Sequence, residues 1–210
     1  MNIKQLIFIM LFSTAINLSA QNNGVEVGYI HVTEETNGST VIFPAQVSGI
    51  RIGPVSEMEL FTNVDFRYGV IYSYLMSVFD GAISGTNYYN AHQIDLPLQL
   101  QLNFRVDNAL KLFAFAGPNL NFGMLQHTVN RTNVGSAEVK TTYNRYKTDA
   151  DDDGVYDVNR FDLQLGLGAG AQQNNVQLRV GYNWGLVDLN NRNNISLIRN
   201  QLTATLVFMF

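Results

Sequence analysis

The chain has 210 residues, of which 46% are hydrophobic, 11% aromatic and only 14% charged, and its formal net charge is −4. The apolar content suffices for a folded core, which excludes an intrinsically disordered protein, and the lack of a basic excess argues against a general nucleic-acid binder. The absence of cysteine excludes disulfides, thiolate metal sites and a cysteine nucleophile.

Residues 1–20 have the order of a secretory signal peptide. Lys4 is their only charge, an apolar run follows at residues 6–12, and small or polar residues lead to Ala20. The run is well below the ~18 apolar residues of a membrane-spanning helix. We predict that this segment is removed near Ala20; a buried helix or a hydrophobic first strand is the alternative.

The rest of the chain alternates between apolar and polar residues with period two, as half-buried β-strands do. Every even position is apolar within residues 96–106 and again within residues 176–186. The alternation is less regular in the first, second and fifth predicted strands, and in the fifth both faces of residues 111–116 are largely apolar. The pattern predicts eight strands, at residues 25–33, 45–54, 57–76, 92–106, 109–124, 160–172, 175–187 and 200–210.

The predicted connections alternate between short and long. Short ones fall at residues 54–57, 107–108 and 174–175, and long ones at residues 34–44, 77–91, 125–159 and 188–199. Short periplasmic turns and long extracellular loops are typical of an outer-membrane barrel. The last strand ends in aromatic residues at Phe210 and is expected to close against the first. We therefore predict an all-β fold, an eight-stranded antiparallel up-and-down transmembrane β-barrel over residues 21–210.

A soluble barrel, with its apolar face inside, would show the same alternation. Three observations favour the membrane form: the secretion signal with an aromatic last strand, aromatic residues at the ends of the apolar faces, and charges on the opposite face. The aromatic residues are Tyr72, Tyr74, Phe104, Tyr182, Trp184, Phe208 and Phe210. The charged residues are Glu59, Asp65, Arg67, Arg105, Asp162 and Arg179. Eight strands leave an interior that side chains fill, so we expect these charges to pair and no open pore to remain.

Several segments resemble the PorT-like outer-membrane β-barrel family. They are LPLQL at residues 96–100, FAGPNL at residues 115–120, FDLQLGLGAGA at residues 161–171 and LRVGYNWG at residues 178–185. The resemblance implies an eight-stranded barrel in a Gram-negative outer membrane. It implies no single activity: PorT itself is linked to protein secretion, and no catalytic residues come with the family.

The third predicted loop contains a run of carboxylates with the spacing of a calcium loop. Asp149, Asp151, Asp153 and Asp157 stand at positions 1, 3, 5 and 9, with Gly154 at position 6, where calcium loops turn sharply. Position 12 should be acidic and is Arg160 instead. We therefore expect a weak calcium site of the extracellular class, and a solvated acidic loop tip is the alternative.

Other residues with chemical potential lack supporting motifs. His31, His92 and His127 are scattered, with His31 and His127 near outer strand ends and His92 near the start of the fourth predicted strand. A hydrolase would need one of them beside a serine, as His127 with Ser136 or His92 with Ser84. The basic residues of the third loop that could meet lipopolysaccharide phosphates are Lys140, Arg145 and Lys147.

The pattern favours a non-enzymatic outer-membrane protein with a structural or interaction role through its extracellular loops. Expected partners are outer-membrane lipid, lipopolysaccharide and envelope or secretion proteins, but not nucleic acid, and the barrel is expected to be a monomer. Calcium is the only expected cofactor. The alternatives are a lipid-modifying enzyme, a small-solute channel and a soluble periplasmic ligand-binding barrel.

Overall fold

The computed structural model describes residues 21–37, 46–80, 85–107, 109–134, 137–147, 158–191 and 196–210. Residues 1–20, predicted to be the signal peptide, lie outside these ranges. The elements in chain order are β1 (Gln21–Asn37), β2 (Gln46–Phe61), β3 (Val64–Gly69), β4 (Ile71–Asp80), β5 (Gly85–Arg105), β6 (Leu110–Val134), β7 (Ala137–Asn144), a 3-10 turn (Arg145–Lys147), β8 (Phe161–Gln173), β9 (Val176–Gly185) and β10 (Ser196–Met209).

The strands form a closed antiparallel ring of eight members. β3 and β4 together act as one member, because β2 pairs with β3 along one half of its length and with β4 along the other. The ring closes where β1 pairs with β10, from Gly24 opposite Met209 to Asn37 opposite Ser196. β7 stands outside the ring and pairs with the end of β6 alone. The predicted eight-stranded barrel is therefore confirmed.

The first hairpin turn lies at Thr62 and Asn63, so the turn predicted at residues 54–57 is wrong. β2 runs through Pro54 without a break, and Asn63 takes a positive φ of 67°. Residues that pair across a hairpin have their side chains on the same face of the sheet. In most pairs between β2 and β3 both residue numbers are even or both are odd, as in Met58 opposite Phe66. The alternation of apolar and polar positions therefore continues unchanged on both sides of the turn, so the hydrophobic pattern alone could not show where the turn lies.

The strands also extend beyond their predicted ends on the side of the long connections. Residues 77–80 belong to β4 and residues 85–91 to β5, so most of the predicted loop at residues 77–91 is strand. β6 likewise continues to Val134 and turns back as β7. These extensions contain many Asn and Thr residues, which are common in loops, so the sequence pattern predicted loops there. The sheet continues there because its backbone groups pair with a neighbouring strand.

The apolar face of the strands points outward and the polar face points inward. Leu100, Leu167 and Leu178 are each 54% exposed on the outside, whereas Gln101, Gln164 and Gln177 are fully buried inside. An apolar exterior of this extent fits lipid and not water. The soluble barrel with an apolar interior is therefore wrong. Among the described residues, no helix is long and apolar enough to cross a membrane.

The strand with two apolar faces, β6, is explained by glycines on its neighbour. Phe113 and Phe115 point into the barrel, where a Cβ at Gly170 would lie 2.4 Å from the Phe113 ring and a Cβ at Gly168 would lie 2.2 Å from the Phe115 ring. The glycine run at residues 166–170 thus makes room in a narrow interior, as its spacing on the inward face suggests.

Candidate functional site

The periplasmic half of the interior contains a network of buried ions, which we call the inner network: Glu26, Arg51, Glu57, Arg67 and Arg179. Arg51 Nε lies 2.9 Å from Glu26 Oε1, and Arg67 also pairs with Glu26. The Nε of Arg67 and the Nη1 of Arg179 each lie 3.6 Å from Glu57 Oε1. All members come from barrel strands, so the wall itself supplies both signs of charge.

Aromatic rings form a base for one cation of the inner network. The Arg179 guanidinium lies 4.2 Å from the Phe115 ring centroid and 4.8 Å from that of Phe113. It donates hydrogen bonds to Gln101 Oε1 at 2.6 Å and to Gln99 Oε1 at 3.1 Å. A carboxylate, two amides and two ring faces thus stabilise the Arg179 guanidinium in place of the water molecules that it loses on burial.

Sequence reasoning identified only part of this interior. Arg67, Arg179 and Asp162 are buried inside, as predicted, and Asp65 lies 3.7 Å from Lys111 at the periplasmic end. Glu59 and Arg105 are exposed at the periplasmic opening instead. The interior ions that sequence reasoning missed are Glu26, Glu34, Arg51, Glu57, Asp95 and Arg199. Those of the first two predicted strands were missed because the alternation there is less regular.

The extracellular half of the interior depends on a residue from a loop. Glu34 Oε1 accepts hydrogen bonds from Arg199 Nη2 at 2.8 Å and Nε at 3.1 Å, both from the β10 wall. Glu34 Oε2 accepts a hydrogen bond from Arg145 Nη1 at 2.5 Å, and Arg145 belongs to the 3-10 turn after β7. Arg145 is therefore buried in the mouth, which removes it from the set of residues predicted to meet lipopolysaccharide.

An apolar cluster, which we call the cap cluster, covers the same mouth: Tyr146, Val158, Leu189 and Leu197. The Arg160 guanidinium lies 5.0 Å from the Tyr146 ring centroid and donates a hydrogen bond to the Met124 carbonyl at 2.9 Å. A Cβ at Gly123 would lie 1.9 Å from Tyr146 Oη, so only glycine permits this approach of the ring to β6. The cluster joins the third and fourth extracellular loops.

The fourth loop is fixed to the barrel by Asp188. Its Oδ1 accepts hydrogen bonds at 2.9 Å from the amides of Asn190 and Leu197. Partial burial opposes ionisation, but these amides stabilise the carboxylate and hold the pKa of Asp188 below its usual value. An isolated bridge between Val158 and Asn190 then links the fourth loop to the third.

The described part of the interior leaves little free space. The chamber beneath Tyr146, lined also by Glu34, Tyr89 and Arg199, has no room for a water molecule. A second space beside Asn119 and Arg179 measures about 20 Å³, which is enough for a single water. At the periplasmic opening the space between the described residues widens to about 870 Å³ beside Glu59 and Lys111. The predicted filling of the barrel by paired charges is what the described residues show.

The three histidines lie on the outer surface of the barrel. His31 Nδ1 is 2.9 Å from Ser48 Oγ, and His92 Nδ1 is 2.5 Å from the hydroxyl of Tyr72. His92 lies within β5 and not near its start, and His127 lies on β6 opposite Asn90 of β5. Ser84 and Ser136, the predicted partners of a hydrolase site, lie outside the described residues.

The predicted calcium ligands Asp149, Asp151, Asp153 and Asp157 also lie outside the described residues. Within the described ranges, no three His, Asp or Glu side chains come together as a metal site. The residues on either side of the acidic segment are described, and Tyr146 and Val158 both belong to the cap cluster. The two described residues that flank the acidic segment therefore both lie at the extracellular mouth.

Comparison with solved structures returns small outer-membrane barrels at low sequence identity. Neisserial surface protein A is 13% identical, with 90% of this chain and 97% of that chain covered and a TM-score of 0.46. Ail of Yersinia pestis is 14% identical, with 92% and 100% covered and a TM-score of 0.38. The N-terminal barrel domain of Pseudomonas aeruginosa OprF is 11% identical, with 90% and 99% covered and a TM-score of 0.31.

No curated protein matches this sequence. The family model described as outer membrane protein beta-barrel domain matches residues 14–191, which is most of the chain. Together with the closed ring, the apolar exterior and the ion-filled interior, this match shows that the chain belongs to the family of outer membrane protein beta-barrel domains and is an integral outer-membrane protein.

Proposed function

We propose that this barrel is a non-enzymatic interaction protein of a Gram-negative envelope that binds its partner through the third and fourth extracellular loops. The observation that carries the proposal is the asymmetry of the two ends. Two hairpin turns at the periplasmic end have two residues each, at positions 62–63 and 174–175. At the other end β6 alone has 25 residues, against the ~9–11 that cross a bilayer.

The extracellular hairpin formed by the end of β6 and by β7 is a regular antiparallel extension of the sheet. β6 and β7 pair over eight positions, from His127 opposite Asn144 to Val134 opposite Ala137. The cap cluster and the Arg145–Glu34 ion pair then fasten its base to the barrel. A hairpin whose backbone is paired and whose base is held by such contacts loses less conformational entropy on binding than an unpaired segment would.

Lipopolysaccharide and envelope or secretion proteins are the partner classes we propose. Lys147 is exposed at the base of the hairpin, and Arg131 is exposed on β6 with its guanidinium 5.2 Å from the Tyr88 ring centroid. Lys140 faces Arg131 in the strand register. Cations on this hairpin favour partners with phosphate or carboxylate groups. The resemblance to the PorT-like family supports an envelope or secretion partner, and we propose that the barrel acts as a monomer.

Site-specific photo-crosslinking in intact cells tests the interaction role. A crosslinking residue at Thr142, which is exposed on β7, is compared with one at Gln173, which is exposed at the periplasmic end of β8. We expect a discrete adduct from position 142 that disappears when Arg131→Met and Lys140→Met together remove the two paired cations of the hairpin. Adducts that are equally abundant and identical from both positions would contradict a loop-mediated role.

The enzymatic and channel alternatives have separate tests. The purified barrel should leave radiolabelled outer-membrane lipids unchanged, and a His127→Ala variant should have the same envelope lipid profile as the native protein. In planar bilayers we expect no unitary conductance, because the described interior is filled by ion pairs and amides. Lipid turnover that is lost in the His127→Ala variant would support the enzyme instead.

The acidic segment is proposed as a weak calcium site on the spacing of Asp149, Asp151, Asp153 and Asp157. Calcium titration of the folded barrel should give a dissociation constant of about 10⁻⁴–10⁻³ M. The double change Asp151→Asn and Asp153→Asn should abolish the heat of binding, whereas Asp107→Asn at the periplasmic end should not change it. Equal binding by both variants would place the calcium elsewhere.

A further inference from the structure

We propose that Arg145 and Tyr146 form a latch by which the 3-10 turn after β7 closes the outer mouth of the barrel and is itself held in place. The inference goes beyond the proposed function, because it concerns the state of the mouth whatever partner the loops bind. It rests on the burial of two consecutive loop residues, 7% and 3% exposed, at the extracellular end of a membrane barrel.

The electrostatic half of the latch is Arg145. The buried carboxylates of the extracellular half are Glu34, Asp95 and Asp162. Asp95 and Asp162 accept hydrogen bonds from side-chain amides, whereas Glu34 forms an ion pair with Arg199, the one described wall cation that pairs with a carboxylate there. Arg145 supplies a second cation from a loop, 111 positions away in sequence from Glu34. Each oxygen of Glu34 thus has its own guanidinium, one from the wall and one from the loop.

The steric half of the latch is Tyr146. Its ring lies between the backbone of β6 at Gly123 and the guanidinium of Arg160, and its amide donates a 3.2 Å hydrogen bond to Asn144 Oδ1 that starts the turn. The chamber beneath it has apolar walls from Val32, Leu75 and Ala91. The ring therefore covers a dry space that water would enter if the turn moved away.

The latch can open without breaking the barrel. Among the described residues, no backbone pairing of the ring passes through the turn Arg145–Lys147, which directly follows β7. At the mouth, water can solvate both Glu34 and Arg145 after separation, so their charges need not remain buried and unpaired. A force or partner that displaces the β7 hairpin acts directly on this turn.

Thiol accessibility tests the latch, because the chain has no cysteine of its own. A single Ala91→Cys change places one thiol in the chamber beneath Tyr146, and cells carrying the full-length protein are treated with a bulky, membrane-impermeant maleimide. Arg145→Met removes the cation at similar volume. Arg105→Met makes the same substitution at an exposed position of the periplasmic opening, so it is the matched control.

We expect Arg145→Met to raise the labelling rate by about tenfold or more, which corresponds to about 1.4 kcal/mol of opening free energy or more, and Arg105→Met to leave it unchanged. Gel mobility of boiled and unboiled samples verifies the barrel in each variant. If Arg145→Met does not form a barrel, Tyr146→Ala is judged by the same criterion. Unchanged labelling in a folded variant would overturn the latch. Loss of the barrel in both variants would also overturn it, since a latch must open with the barrel intact.

Discussion

The two halves of the barrel interior are built from the same kinds of side chain, but they are closed in different ways. Glu26 and Glu34 lie eight residues apart on β1, about 26 Å along the strand at ~3.3 Å per residue, so each belongs to its own network. Glu26 pairs with Arg51 and Arg67, both from barrel strands. Glu34 pairs with Arg199 from the wall and with Arg145 from a loop.

Because of this difference, we expect the two halves of the interior to differ in their contribution to stability and in their ability to rearrange. A buried carboxylate that loses its only partners is strongly destabilising, and the inner network avoids this by drawing every partner from hydrogen-bonded strands. The extracellular half has one partner on a turn that the ring does not need. We infer that the periplasmic half holds the fold together, whereas the extracellular half can rearrange while the fold persists.

The largest expected effect tests the inner network. Arg67→Met leaves Glu26 and Glu57 without a shared cation deep in the interior and should lower the free energy of unfolding by about 3–5 kcal/mol. Urea unfolding in lipid vesicles, followed by gel mobility, measures the change. Arg105→Met at the exposed periplasmic opening is the control and should have little effect. Equal stabilities for Arg67→Met and Arg105→Met would show that a buried charge of the inner network contributes no more to stability than an exposed charge at the periplasmic opening.

The matching change in the extracellular half should cost less. Arg145→Met removes the loop cation from Glu34, but Arg199 remains and water can enter the mouth. We expect a loss of about 1.5–3 kcal/mol, the range for a hydrogen bond to a charged group, in the same unfolding assay. A loss as large as that of Arg67→Met would show that the two halves are equally rigid, contrary to the comparison.

Two glycines sharpen the comparison further. A Cβ at Gly168 would lie 2.2 Å from the Phe115 ring and 2.4 Å from the Val180 carbonyl, both held in barrel strands, so Gly168→Ala should cost about 1–3 kcal/mol. At Gly123 the nearest atoms all belong to Tyr146, which can move away. Gly123→Ala should therefore change stability little but, because the turn is released from β6, raise the rate at which trypsin cleaves after Lys147.

Limited proteolysis and unfolding of both glycine variants make the test complete. Ala169→Val adds bulk on the lipid-facing side of β8 and serves as the control for Gly168→Ala. If Gly123→Ala destabilised the barrel as much as Gly168→Ala, and without faster tryptic cleavage, then Tyr146 would be part of the fixed structure and not of a movable turn.

The smallest expected effect concerns a periplasmic turn. Asp107 Oδ1 accepts hydrogen bonds from the amides of Ala109 at 2.7 Å and Leu110 at 2.8 Å, and these donors lower the pKa of its carboxyl below the usual 3.8. Because the folded pKa is the lower one, this contribution to stability is complete above the usual value and is lost as the pH falls through the folded pKa.

Comparison of native, Asp107→Asn and Asp107→Ala barrels at different pH values tests the turn. Asparagine can accept the same two hydrogen bonds without titrating, so Asp107→Asn should remove only the contribution of this carboxyl to the acid sensitivity. Asp107→Ala should remove the turn interaction at every pH. Identical acid profiles for native protein and Asp107→Asn would show that this carboxyl does not contribute.

Period-two alternation was sufficient to predict the ring of eight strands and which residues face lipid. The inward positions of Arg67, Asp162 and Arg179 followed from the same alternation. The position of the first hairpin turn did not, because a turn such as Thr62–Asn63 leaves the alternation in phase. The extent of β6 and β7 was also missed, since Asn and Thr are read as loop formers although their backbone groups pair within the sheet.

The sequence by itself determined the fold class, the lipid-facing and inward-facing sides of the strands and the closed topology of this protein. A strand exposes its side chains alternately to lipid and to the interior, and the polarity of each side chain indicates which of the two it meets. Only the tertiary structure decided which charges meet. Glu34 and Arg145 are 111 positions apart, and Glu34 and Arg199 are 165 apart. Their contact depends on the register of the closed ring and on the path of the third loop, and neither quantity leaves a local pattern in the chain.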